Sequence, residues 1–107
     1  MTTRYRVFRS DWFDKKFENL TKTERERIIK FEQKLKQEPY SGKPLGYKFF
    51  REKKFNGNRL LFLVYENLQA IFLITITDKK IQQEVIDLIK ENLDKYKGTI
   101  EKLVKNN

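Results

Sequence analysis

Tyr47-Lys-Phe-Phe-Arg-Glu-Lys-Lys-Phe55, Asn56-Gly-Asn58, Arg59-Leu-Leu-Phe-Leu-Val-Tyr-Glu66, Asn67-Leu68 and Gln69-Ala-Ile-Phe-Leu-Ile-Thr-Ile-Thr77 follow one another without a gap. Asn and Gly adopt positive φ at little cost, so Asn56-Gly57-Asn58 predicts a tight turn between two strands. Asn67-Leu68 predicts the tip of a second hairpin. The stretch is therefore a three-stranded meander. Its first strand interleaves basic positions with apolar ones. Its last two are nearly all apolar, which places them centrally and covers them on at least one face.

C-terminal to the meander, Asp78 can cap a helix. Ile81, Val85, Leu88, Ile89, Leu93, Tyr96, Ile100 and Leu103 keep helical spacing along it, and Gly98 is the expected place for a break or bend. On the N-terminal side, Tyr40–Gly46 is a loop marked by Ser41-Gly42 and Pro44. Pro39 ends a helix, because the residue before proline avoids helical geometry. That helix opens with a capping box, Thr21-Lys-Thr-Glu24, and buries Ile28, Phe31 and Leu35. A shorter helix over 11–19 starts at Ser10-Asp11 and carries Phe13, Phe17 and Leu20. Trp12 falls off that stripe. Thr3–Phe8 reads as a first strand.

The order is β-α-α-β-β-β-α. It predicts a small α+β domain: a twisted antiparallel sheet packed against an N-terminal helical hairpin, with a C-terminal helix. The 107 residues have room for one such domain. The core spans about 3–90, and 91–105 form a helical extension.

Composition narrows the chemistry. There is no cysteine and no histidine. This excludes disulfides, thiolate metal sites, the usual zinc sites, serine–histidine triads and any imidazole acid or base. No Walker loop, dinucleotide fingerprint or cluster of acids for two metals is present, so a cofactor-free protein is expected. The longest apolar runs, Leu60–Tyr65 and Ala70–Ile74, are too short to cross a bilayer. The charged N-terminus lacks a signal core. The expected location is the cytoplasm, away from membranes.

The net charge is +9, and it is unevenly spread. Residues 43–59 hold six cations (Lys43, Lys48, Arg51, Lys53, Lys54, Arg59) against one acid, Glu52. Arg4, Arg6 and Arg9 supply most of the remaining excess. Cations interleaved with Tyr47, Phe49, Phe50 and Phe55 point to a surface for a polyanion.

Three segments carry a resemblance. Pro39 followed by Gly42-Lys43-Pro44-Leu45 looks like a hairpin-to-sheet loop. Asn56-Gly-Asn-Arg-Leu-Leu-Phe-Leu-Val64 is similar to a turn-then-arginine strand. Ile74-Thr-Ile-Thr-Asp-Lys-Lys-Ile-Gln-Gln-Glu-Val85 is similar to a strand end, basic pair and helix start. In this order and spacing, the chain resembles the RelE/ParE toxin superfamily of type II toxin–antitoxin modules. The RelE-like branch implies a metal-independent messenger-RNA endoribonuclease acting on the ribosome. In that chemistry a ribose 2′-hydroxyl attacks the neighbouring phosphate and cations stabilise the transition state. The resemblance also implies a cognate antitoxin as partner, with messenger RNA and the ribosome as targets. The alternatives are a ParE-like inhibitor of DNA gyrase and a catalytically inactive RNA-binding module of the same fold.

Carried over by position, the candidate catalytic residues are Arg59, Lys80, Arg51 and Lys53. Candidate RNA-binding residues are Lys43, Lys48, Lys54 and Lys79. Arg51 and Lys53 lie two apart on a strand and so share a face, while Glu52 and Lys54 point the other way. If the hairpin is one residue shorter than in the family, Arg51 and Lys53 join Arg59 and Lys80. A salt bridge to Lys48, Lys54 or Arg59 is the simplest account of Glu52. Two positions depart from RelE: Lys80 stands where it has arginine, and Ile86 where it has a base-stacking tyrosine. Tyr47, Tyr65 and Tyr96 are rings that can stack on bases, although core burial is the commoner fate of tyrosine.

Overall fold

The computed structural model describes residues 4–106. Its elements are β1 (Arg6–Arg9), α1 (Asp11–Glu18), α2 (Lys22–Leu35), β2 (Lys43–Pro44), β3 (Phe50–Phe55), β4 (Asn58–Tyr65), a 3-10 turn (Glu66–Leu68), β5 (Ala70–Asp78), α3 (Gln82–Glu91) and α4 (Leu93–Lys105). The five strands form one open sheet in the order β1-β5-β4-β3-β2.

Three details differ from the sequence reading. The sheet is mixed, because β1 runs parallel to its neighbour β5. A parallel neighbour needs a crossover, and α1 with α2 lies between β1 and the rest of the sheet in the chain. The strand at Tyr47 begins only at Phe50, and Lys43–Pro44 adds a short edge strand. The C-terminal helix is two helices broken at Asn92, whose Nδ2 donates to the Leu88 carbonyl at 2.8 Å. Gly98 lies inside α4. Of the expected first strand, Thr3 lies outside the described residues.

The helix starts form as their residues dictate. Ser10 Oγ accepts from Phe13 N–H at 3.0 Å and donates to the Ile74 carbonyl at 2.6 Å, so one hydroxyl caps α1 and ties it to β5. Thr21 and Glu24 make the reciprocal capping box of α2. The Thr21 backbone N–H holds the Glu24 carboxyl below its ordinary value.

Two cores sandwich the sheet. Phe55, Leu60, Phe62, Val64, Ile71 and Leu73 meet Phe13, Ile28, Phe31 and Leu35 of α1 and α2 on one side. Phe50, Leu61, Leu63, Phe72 and Ile74 meet Val85, Ile86, Ile89 and Ile100 of α3 and α4 on the other. Trp12 packs with this second core, because α1 approaches the sheet margin beside α4. A bulge on β5 places Thr75 opposite Leu61 but Leu73 opposite Phe62, so Ile74 is the extra residue. Beyond it Ile76 faces the α1–α2 core, and Thr75 and Thr77 take the α3 side opposite Leu61 and Arg59.

Arg9 is tied to Glu32 of α2 by two hydrogen bonds, at 2.8 and 2.7 Å, and lies over the Phe17 ring. That hydrogen bonding raises the Arg9 pKa. No helix among the described residues is long and apolar enough to cross a membrane.

Candidate functional site

The turn at Asn56-Gly57 fixes where every side chain of β3 points. Asn56 and Gly57 have φ of 46° and 77°, and Phe55 pairs with Asn58 across them. This is a two-residue hairpin with left-handed geometry at both central positions. Arg27 of α2 braces it, its Nη1 donating to Asn56 Oδ1 at 2.6 Å. The register that follows is Lys54 opposite Arg59, Glu52 opposite Leu61 and Lys43 opposite Glu52. Residues opposite each other share a face of a sheet. Lys43, Glu52, Lys54, Arg59 and Thr77 therefore line the α3 side.

Arg51 and Lys53 share a face as alternation requires, but it is the opposite one. Lys53 Nζ lies over the Phe31 ring of α2 at 5.5 Å. Arg51 is only 9% exposed and pairs with Phe62. Its guanidinium donates to the carbonyls of Ser41, Lys48 and Gly42 at 3.1, 2.9 and 2.9 Å. The expected convergence of Arg51, Lys53, Arg59 and Lys80 is thus corrected by the hairpin register. A slip of one residue exchanges the two faces of a strand: the expected turn Asn56-Gly57-Asn58 would set Phe55 opposite Arg59, whereas the two-residue turn sets Lys54 there.

Glu52 is the residue that sequence reasoning undervalued. The residue is 4% exposed, and its carboxylate accepts from the side-chain amide of Gln82, the first residue of α3. Among the described residues no cation forms a salt bridge with it. The signal was present in the sequence as the even spacing of Glu52 and Lys54, read through a two-residue turn to Arg59.

Arg59 is half-buried. Its Nη1 leans on the carbonyls of Gly57 and Asn58 at 3.3 Å each, and its Nε is buried with no hydrogen-bond partner. A buried donor without an acceptor costs about 1–3 kcal/mol. Lys79 and Lys80 are exposed in the turn directly after β5. Since Thr77 pairs with Arg59 and Asp78 with Asn58, that turn sits at the same end of the sheet as Arg59. Lys43 is exposed on the edge strand beside Glu52. Lys48 lies apart, at the other end of β3. Its Nζ is 4.6 Å from the Tyr40 ring, and it lines a cleft of about 600 Å³ with Tyr40, Phe49, Tyr65 and Leu93.

Ile86 is 6% exposed in the α3-side core, so that position presents no ring to a ligand. Burial raises the phenol pKa of Tyr65 and of Tyr96, whose ring packs edge-on against Phe72. Tyr47 alone of these three is exposed, at 45%.

No family model matches the chain, and no curated protein matches it in sequence. Solved structures do match. An arginine-substituted Escherichia coli toxin RelE in the free state superposes with a TM-score of 0.67 at 19% identity, over 80% of this chain and 98% of that one. The intact E. coli RelBE toxin–antitoxin complex matches at 0.63 and 22% identity, over 69% and 95%. The archaeal RelE–RelB complex from Pyrococcus horikoshii matches at 0.62 and 21%, over 74% and 97%.

Proposed function

We propose that this chain, whose fold is that of the RelE toxins, is the toxin of a toxin–antitoxin pair and cleaves RNA on the α3 side of its sheet. The observation that carries the proposal is the cross-strand pair Lys54–Arg59 with a buried carboxylate, Glu52, next to it on the same face. Lys54 and Arg59 grip the phosphate, and Lys79 and Lys80 extend the positive field at that end of the sheet. The half-buried Arg59 guanidinium supplies fixed positive charge, opposite Lys54, where charge develops on the phosphate.

The step requires a proton acceptor as well as cations. Glu52 takes the proton from the 2′-hydroxyl as the O2′–phosphorus bond forms. The phosphorus–O5′ bond breaks, and the leaving 5′-oxygen takes a proton from a lysine ammonium, Lys54 or Lys80. The product is a 2′,3′-cyclic phosphate. Gln82 holds the carboxylate in place through a neutral donor. In this reading Arg51 and Lys53 do no chemistry. Arg51 braces the loop before β3, and Lys53 covers Phe31.

A cognate antitoxin partner is supported by solved neighbours that are themselves toxin–antitoxin complexes. An acidic, amphipathic segment would neutralise the patch and cover exposed Ile81, just before α3, and Leu88 on it. Ribosome-bound messenger RNA is the proposed target. The test is a cell-free translation reaction with messenger 3′ ends mapped. Cuts within codons at the ribosomal A site, abolished by Arg59→Ala, are expected. Intact messenger with accumulating gyrase–DNA breaks would favour a gyrase inhibitor instead. Neither outcome would leave an inactive interaction module.

A further inference from the structure

Tyr47 plays no part in the chemistry above, and Ile86 is too deeply buried to present a surface to a base. Tyr47 sits in the loop before β3 with its ring stacked on Phe49, centroids 4.9 Å apart at 18°. The loop is firmly held. Arg51 clamps the carbonyls of Ser41, Gly42 and Lys48, Leu45 N–H donates to Phe50 O at 2.8 Å, and Phe50 N–H donates to Tyr47 O at 3.2 Å. Lys90 reaches over from α3, its Nζ 5.7 Å from the Tyr47 ring centroid. It lies against Gly46, where a Cβ would stand 2.9 Å from Nζ; the φ of +90° there also favours glycine.

The position of the ring relative to the proposed reaction site follows from α3. Gln82 at the start of this helix touches Glu52, and Lys90 near its end touches Tyr47. Eight residues of helix separate the two contacts, about 12 Å. Glu52 and Tyr47 therefore flank one side of α3, within reach of a single strand of a few nucleotides.

We propose that Tyr47 is a stacking platform for a nucleobase of single-stranded RNA whose scissile phosphate lies at Lys54 and Arg59. The inference rests on the RNA-cleaving reading above. A ring held rigidly and half in water loses little entropy on stacking, and base stacking tolerates any sequence. Lys90 rests on the ring as a displaceable cation. When a base takes its place, the ammonium has the neighbouring phosphate within reach. Lys48, the next residue in the chain, adds positive charge on the same loop. The concentration of cations favours a polyanion over a neutral or basic peptide as occupant.

The test uses the full chain and a short RNA with every 2′-hydroxyl methylated, so that binding is read without cleavage. Tyr47→Ala is expected to weaken binding about ten-fold or more with the salt dependence unchanged, and Tyr47→Phe to bind within about two-fold of the parent. Tyr47→Ala protein that binds like the parent overturns the proposal, as does Tyr47→Phe protein that loses as much as Tyr47→Ala. Tyr47→Ala that spares RNA binding but weakens the antitoxin complex makes the ring a protein contact and overturns it too. Arg59→Ala separates the two readings. If it still cleaves RNA while Tyr47→Ala loses affinity, the cleavage site is wrong and the platform stands. If it fails to cleave while Tyr47→Ala binds normally, only the platform is wrong.

Discussion

The two faces of β3 both carry charged side chains and hold them in different ways. Arg51 and Lys53 face α2, where one guanidinium is spent on three loop carbonyls and one ammonium on a phenylalanine ring. Glu52 and Lys54 face α3, where a carboxylate is buried against a neutral amide and a lysine stands opposite an arginine with an unused donor. Positive charge in a sequence therefore does not by itself locate a polyanion site. A cation whose donors are already satisfied by backbone oxygens is part of the scaffold. A cation with unfilled hydrogen-bonding capacity beside a buried base is available for chemistry.

Substitutions on the two faces should have unequal effects. The largest effect is expected for Glu52→Gln, which keeps the shape and the Gln82 contact region but removes the proton acceptor. RNA cleavage should fall about 10²–10⁴-fold, measured as single-turnover rate. Lys54→Ala and Arg59→Ala should each lower that rate about 10²-fold or more while leaving the melting temperature near the parent's. Arg51→Ala should act in the opposite way. It strips partners from the carbonyls of Ser41, Gly42 and Lys48 and should cost about 2–4 kcal/mol in urea unfolding. A modest loss of activity would follow only from the loosened loop. Lys53→Ala should change stability by under about 1 kcal/mol and leave cleavage untouched.

The smallest effect lies far from the site, in the capping box. Thr21→Ala should cost about 1 kcal/mol. Glu24 has a depressed folded-state pKa, so its contribution is complete above the ordinary carboxylate value of 4.5 and is lost as pH falls through the depressed one. The stability difference between parent and Thr21→Ala should therefore shrink on acidification below that value, which urea titrations at several pH values would reveal.

The architecture was largely legible because each element has a local cause. The Thr21–Glu24 box, the helical stripe of Ile28, Phe31 and Leu35, and the apolar runs of β4 and β5 all predict what is observed. Long-range pairing was less legible. That β1 runs parallel to β5 depends on the path of α1 and α2, which no local pattern encodes. The break at Asn92 was missed because Gly98 is the poorer helix former, yet Asn92 alone reaches back to the Leu88 carbonyl.

The candidate site was legible as a segment but not as a face. Residues 43–59 do contain Lys43, Glu52, Lys54 and Arg59, and Lys79 and Lys80 do lie at the same end of the sheet. Which half of the alternating cations faces α3 depends on one residue of hairpin length. Gln82 was invisible for a simpler reason: a glutamine in the first turn of a helix looks like solvent-exposed sequence until Glu52 is placed beneath it.

Adjacent lysines on opposite faces make the most direct test. Single-turnover RNA cleavage by Lys53→Ala and Lys54→Ala proteins, compared with the parent, asks which face of β3 holds the phosphate. Loss of cleavage in Lys54→Ala with a parental rate in Lys53→Ala is the predicted result. The reverse pattern, or equal rates in both, would contradict it.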